Sequence, residues 1–276
     1  ENDREVQTKQ MAVNAQEGDM IKITDEYTKF IDERVFWIRS NDPLGISAIE
    51  PATEALKWLF SPSQWAEMLG AFISWKLEDV VELALSTFLF VVLIYYRRRL
   101  RAGIATAGEA AKRGSRRSFR PTMKAAILTV IVAAIWPSIL WYLSWRISAQ
   151  PESSAFATAV SRGLAMTAAV YLPLEVIRQC CASKGLAEMH FYWSNATVRT
   201  IRTHLRWATP MTLPLVFLAA AMHSQTNDAW QASLGRASVI CWLILLTVFL
   251  QRVLRPHTNV LNDIVRGDNE TWRVQL

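Results

Sequence analysis

The sequence predicts an all-α, polytopic membrane protein with about five transmembrane helices and an extracytoplasmic helical N-terminal segment. Hydrophobic residues make up 51% of the 276 residues, and tryptophan alone occurs 12 times. Long apolar runs follow a polar beginning of the chain, and lysines and arginines gather in alternate links between those runs. Clusters of this kind stay on the cytoplasmic side of a membrane. The pattern therefore predicts both the spans and their direction.

The first span is the apolar run 80–96, which ends in four arginines, Arg97, Arg98, Arg99 and Arg101. Its length of about seventeen residues can cross a slightly thinned bilayer core as a helix. Two tyrosines at its end lie where interfacial aromatic side chains belong. The arginines put the chain before the span outside the cytoplasm and the following basic segment, 102–122, inside.

Four further spans are predicted from the apolar runs 125–145, 156–177, 208–223 and 234–250. Pro137 and Pro214 lie within two of these runs, so a kink is expected at each proline. Glu175 and Arg178 are three residues apart near the inner end of the third span, and such residues are neighbours on a helix and can pair. All five spans agree on one topology, in which this chain ends in the cytoplasm.

Residues 1–45 are predicted to form a periplasmic helical arm, because they are polar and carry a narrow helical stripe of apolar residues. The chain begins without Met or a leader, so we expect the arm to be the end of a longer periplasmic region. Residues 46–78 predict two short amphipathic helices, split at Ser61-Pro62-Ser63 and lying in the outer membrane interface. Packing of these two helices on neighbouring protein is an equal alternative. The membrane domain with its five spans covers 79–255.

No catalytic residue, cofactor or metal site is predicted, and the chain is not expected to be an enzyme. The four histidines fall in different places along the chain, so they cannot bind one metal ion together. No carboxylate or cysteine lies at a spacing that would build a catalytic site around them. Cys180 and Cys181 are expected to pack as small apolar residues.

The basic residues predict contacts with lipid and none with nucleic acid, although the pI is near 9.4. They flank the apolar spans and form no separate basic face, so topology and anionic headgroups account for them. The candidates for headgroup contact are Arg97, Arg98, Arg99, Arg101, Arg199, Arg202 and Arg206.

One inside segment is distinctive, the run Lys184-Gly-Leu-Ala-Glu-Met-His-Phe-Tyr-Trp193. It resembles a Gly-Leu-Ala-x-x-His-Phe-x-Trp signature that lies between two spans in large bacterial mechanosensitive channels of the MscS superfamily, of the MscK and MscM type. The matching signature residues are Gly185, Leu186, Ala187, His190, Phe191 and Trp193. The run Glu33-Arg-Val-Phe-Trp-Ile-Arg-Ser40 and the arginine-rich exit of the first span support the resemblance, which covers about 30–276.

The resemblance implies an inner-membrane channel, a homoheptamer in this family, that membrane tension opens to release ions and solutes on hypoosmotic shock. In the family the pore is lined by a C-terminal helix rich in alternating Gly and Ala. The ten glycines here are scattered, so this chain is expected to be the peripheral, tension-sensing part. Residues 256–276 then form a cytoplasmic link toward further spans and the pore.

Two other classes of protein stay open at this point. A secondary transporter would explain the proline-interrupted spans and Arg162 within the third span, although no internal repeat accompanies them. A membrane sensor or interaction module would use the N-terminal arm to bind a soluble partner.

Overall fold

A computed structural model describes residues 20, 22–24, 45–73, 77–113, 120–149 and 154–255. The chain divides into two compact units, 1–45 and 46–276. In the first unit, the Thr24 hydroxyl donates a hydrogen bond to the Met20 carbonyl across one helical turn, at 2.8 Å. Most of the predicted N-terminal arm and all of the link 256–276 lie outside the described residues.

The second unit is built from helices, and the described residues contain no strand. After a short 3-10 turn, Ile46–Ala48, the elements are α1 (Ile49–Leu59), α2 (Pro62–Ile73), α3 (Leu77–Arg113), α4 (Arg120–Ser148), α5 (Ala155–Cys180), α6 (Leu186–Met189), α7 (Asn195–His223), α8 (Asp228–Trp230), a π-helix (Gln231–Gly235) and α9 (Arg236–Val253). Five helical stretches are long and apolar enough to cross a membrane: α3, α4, α5, α7 and the continuous run from α8 to α9. The predicted fold class is confirmed.

The spans pack in chain order, α3 on α4, α4 on α5, α5 on α7 and α7 on α9. The central spans α5 and α7 bury the largest shares of their apolar windows, whereas the window of α3 is not buried at all. Exposed apolar side chains such as Leu85, Phe88 and Val91 surround that part of α3. The two ends of the row of spans therefore have the largest apolar surface free for lipid.

Two of the segments predicted to link spans on the cytoplasmic side are largely continuations of the membrane helices. α3 does not end at its arginines but continues to Arg113, because the residues that follow are mostly good helix formers such as Arg, Leu and Ala. Likewise α7 begins at Asn195, where the Ser194 hydroxyl caps the helix by accepting a hydrogen bond from the Thr197 amide at 3.2 Å. Both membrane helices therefore project beyond their apolar spans.

The first two helices pack at least partly on protein. Pro62 begins α2, as the sequence predicts. α1 buries Ala55 and Leu59 against the spans. The Trp58 ring lies 5.1 Å from that of Phe156 and 5.2 Å from that of Trp230. This face of α1 thus packs on the spans, and the predicted location of the two helices in the outer membrane interface stays a prediction.

Pro137 and Pro214 lie inside the continuous helices α4 and α7. The kinks expected at these positions stay predictions. Two further interior prolines are Pro173 in α5 and Pro210 in α7.

Candidate functional site at the basic end of the spans

The two ends of the second unit differ in chemistry. At the basic end, α3 passes Arg97 and Arg101, α5 ends at Cys180 and α7 begins at Asn195. At the opposite, tryptophan end lie Trp58, Trp65 and Trp230. The family signature and the seven candidate arginines all belong to the basic end.

A buried carboxylate lies at the centre of the basic end. The side chain of Glu175 on α5 is fully inaccessible to solvent. Its carboxylate accepts hydrogen bonds from Arg178 Nη2 at 2.7 Å and from Gln179 Nε2 at 2.5 Å, and Arg178 Nε lies 2.6 Å from Oε2. The pairing of Glu175 with Arg178 predicted from their spacing is confirmed. Burial of a carboxylate away from water is costly, and hydrogen-bonding and ionic partners such as these offset that cost.

Two arginines of α3 join this network. Arg97 Nη2 lies 3.8 Å from Glu175 Oε1, and Arg101 Nη2 donates to Gln179 Oε1 at 3.0 Å. Because Arg97 and Arg101 are four residues apart, they lie on one face of α3 and turn together toward α5. The guanidinium groups of Arg97 and Arg178 thus lie beside one carboxylate, and Arg101 is joined to it through Gln179. The network fastens the first span to the third.

The other two arginines of the first group point elsewhere. Arg98 and Arg99 are exposed, and the Arg99 guanidinium lies 5.5 Å from the centre of the Tyr96 ring. The four arginines predicted as one set therefore divide into an inward pair that binds α5 and an outward pair free to meet headgroups.

The signature segment forms a tight turn around the short helix α6. Lys184 and Tyr192, at its two sides, have φ angles of 55° and 54°. Non-glycine residues adopt this left-handed conformation at a cost of roughly 1 kcal/mol or more, so tertiary contacts must hold it. At Gly185 a Cβ would lie 2.6 Å from the Cys180 carbonyl oxygen and 2.7 Å from that of Ala182. Only glycine therefore fits where the signature has its glycine.

The signature residues Leu186 and Ala187 are buried in two different clusters. Leu186 joins the cluster that α3 and α4 form with Ile104 and Val132. Ala187 joins a second cluster with α7 residues, which Trp193 also contacts. The segment is thus packed between the basic ends of the spans.

Polar contacts fix the same segment to α4 and α7. The His190 Nδ1 atom lies 3.0 Å from the Thr122 hydroxyl, and Arg202 Nε donates to the Cys181 carbonyl at 3.1 Å. Burial lowers the pKa of His190, so the neutral imidazole is favoured. Burial also raises the pKa of the Cys181 thiol to about 11, which fits its place in an apolar core. Arg202 therefore has a structural contact, although the sequence placed it among the lipid candidates.

The remaining candidates are exposed at the basic end. Arg199 and Arg206 lie on the outer surface of α7, while Phe191 is 52% and Tyr192 72% exposed. Among the described residues, no three His, Cys, Asp or Glu side chains come together as metal ligands would. The geometry of this end therefore consists of an inner ionic network and an outer rim of cations and aromatic rings.

The fold and this site define a multi-pass α-helical membrane protein whose first and third spans are joined by a buried ionic network. A family profile described as mechanosensitive ion channel inner membrane domain 1 matches residues 81–276. The chain belongs to this family. It therefore carries an inner-membrane domain of a mechanosensitive channel, which favours the channel over the transporter and sensor classes, and the family is not one of enzymes.

Comparisons with curated proteins and with solved structures give no significant match.

Proposed function

We propose that this chain is the peripheral, tension-sensing membrane part of a channel that releases solutes on hypoosmotic shock, with a pore outside residues 1–276. The observation that carries the proposal is the environment of α3. Its apolar part is unburied, so it has the largest contact with lipid, yet Glu175 ties its basic end to α5. A force acting on α3 is thereby passed to the central spans.

The mechanism is physical. Membrane tension favours the arrangement of the spans that occupies the larger membrane area. The effect is proportional to the difference in area between the two arrangements. A span that contacts the row of helices along one side only can move outward with little loss of buried surface. In this proposal α3 moves with the bilayer, and the network at its basic end limits how far it separates from α5.

The basic end faces the cytoplasm in this proposal, since clustered arginines beside spans are retained there. The exposed arginines Arg98, Arg99, Arg199 and Arg206 then face anionic headgroups, each contributing about 1 kcal/mol.

Replacing all four arginines by glutamine is expected to lower the amount of phosphatidylglycerol that stays bound during purification. An equal amount of bound lipid would remove headgroup contact from the account.

Family membership implies an oligomer, which we propose to be a heptamer in which these chains surround a central pore.

The test of the sensing role compares the full-length protein with a version that begins after residue 255, both recorded in membrane patches. We expect the shortened channel to keep its unitary conductance, because the pore is intact, and to need a higher tension to open. An unchanged opening tension would exclude sensing and leave this part a scaffold.

A further inference from the structure

A groove opens at the tryptophan end, between the end of α7 and the beginning of α9. Its volume is about 320 Å³, within the range of small-molecule sites. Ala219 and His223 of α7 form one wall, and Gln231, Arg236 and Val239 form the other. None of these residues takes part in the network at the basic end.

The π-helix shapes this groove. Single turns of π-helix are rare and occur frequently at functional sites. Here the turn Gln231–Gly235 joins α8 to α9, with Ser233 and Leu234 buried beneath it. Gly235 lies close to α7, since a Cβ there would be 3.3 Å from the Met222 Cβ atom. The groove lies between this widened turn and the end of α7, next to the point where Gly235 comes close to Met222.

The groove is polar at its mouth and apolar further in. His223 and Gln231 lie nearest the helix ends, whereas Ala219 and Val239 lie about one turn deeper. Arg236 also lines the groove and is the first residue of α9, which places it at the mouth. A positive charge and the His223 imidazole therefore lie above an apolar floor, while the Gln231 Nε2 atom donates a hydrogen bond to the Gln225 carbonyl.

The apolar floor continues along α9 toward the middle of the membrane. Ile240 also lines a second hollow of about 270 Å³ with Leu243, Ile244 and Val248. From Arg236 to Val248 the helix rises about 18 Å at 1.5 Å per residue. That distance is close to half of the roughly 30 Å hydrocarbon core of a bilayer, the depth of one leaflet.

We propose that this groove binds one phospholipid of the leaflet at the tryptophan end. Arg236 and His223 hold the phosphodiester at the mouth, where an anion complements the guanidinium, and one acyl chain follows the apolar floor past Val239 and Ile240. The floor residues Val239 and Ile240 are exposed on a helix that can span a membrane, so the floor suits an acyl chain better than a water-soluble ligand. The proposal depends on membrane insertion and not on gating, so it can fail while the proposed function holds, and the reverse.

The test uses the purified chain in nanodiscs of phosphatidylcholine that contain a few per cent of phosphatidylglycerol with a photoactivatable diazirine on its acyl chain. Cross-linked residues are mapped by mass spectrometry. In the unmodified chain, we expect cross-links to concentrate at Val239 and Ile240 over the exposed lipid-facing Leu246 by about threefold or more. Equal labelling of the three residues would overturn the site, since it is what bulk lipid produces.

Two variants sharpen the result. Val239→Trp fills the groove, and Leu246→Trp is its matched control, because both side chains are 39% exposed on the same helix. Cross-linking at Ile240 should fall about threefold in Val239→Trp and in Arg236→Gln, and stay unchanged in Leu246→Trp. If Arg236→Gln, which leaves the groove open, does not lower the cross-linking, the phosphate contact is wrong.

Discussion

At the scale of single residues, Glu175 organises the basic end. It is fully buried and holds Arg178 and Gln179 on its own helix. It reaches α3 through Arg97 and through Gln179, whose amide oxygen accepts a hydrogen bond from Arg101. Removing one partner of a buried ion pair costs far more than an exposed pair contributes, because the remaining charge is left without compensation. A neutral residue at this position would therefore loosen α3 specifically, while the apolar packing of α3 on α4 stays.

Gly185 is a signature residue whose identity the backbone geometry explains, because no Cβ fits at its position. Gly185→Ala should lower the stability of the protein by about 1–3 kcal/mol, because the new methyl group meets two carbonyl oxygens that cannot move aside. Thermal unfolding in detergent measures the change.

Gly70→Ala is the matched control, since nothing lies within 4 Å of a Cβ at Gly70. There the substitution should stabilise by about 0.5–1 kcal/mol, because alanine favours a helix over glycine. Equal effects at the two positions would contradict the tight turn.

Some contacts at this scale were predictable and others were not. The pair Glu175–Arg178 followed from helical spacing alone. The contacts of Arg97 and Arg101 could not follow, because they depend on which face of α3 turns toward α5, and four neighbouring arginines carry no periodic pattern that marks a face. The contact of Arg202 with the Cys181 carbonyl was missed for a similar reason, since a backbone acceptor has no signature in the sequence.

At the scale of elements, α1 is attached to the spans by aromatic side chains. The Trp58 ring contacts the rings of Phe156 and Trp230, and the Trp65 ring lies 5.3 Å from Phe156. The Trp65 indole also donates to the Leu59 carbonyl at 2.8 Å, which fixes the turn between α1 and α2. These contacts link the segment that follows the N-terminal arm to the beginning of α5 and to α8.

Trp58→Ala should therefore cost about 1–3 kcal/mol, from lost burial and two aromatic pairs. Phe60→Ala, two residues away and 72% exposed, should stay within about 0.5 kcal/mol. Thermal unfolding of the two variants in detergent distinguishes them. A loss at Phe60 as large as that at Trp58 would mean that α1 packs through its other face.

The helices themselves were largely predictable, and their ends were not. Five apolar runs gave five spans, because a bilayer demands length and apolarity that few other structures share. The extension of α3 to Arg113 escaped prediction, since positive charge marks the side of the membrane and says nothing about where a helix stops. The packing of one face of α1 on the spans also needed the structure, because membrane surface and protein are both apolar surroundings.

At the scale of the whole molecule, the spans form a row in chain order with central, well-buried helices and lipid-exposed helices at its ends. This arrangement leaves the apolar window of α3 unburied, with α4 packed along one side of the helix. In the proposed function, bilayer tension acts on this outermost span, and the ionic network carries the movement to α5.

The measurement that tests this account most directly is the opening tension of the full-length channel carrying Glu175→Gln, recorded in membrane patches. The substitution keeps the shape of the side chain and removes its charge, which weakens hydrogen bonds to a charged group that contribute about 1.5–3 kcal/mol. With α3 released from α5, force on α3 no longer reaches the central spans, so the channel should need a higher tension to open than the unmodified protein. Glu54→Gln, at an exposed glutamate of α1, should leave the opening tension unchanged. If Glu175→Gln assembles normally and opens at the unmodified tension, the network does not couple α3 to gating.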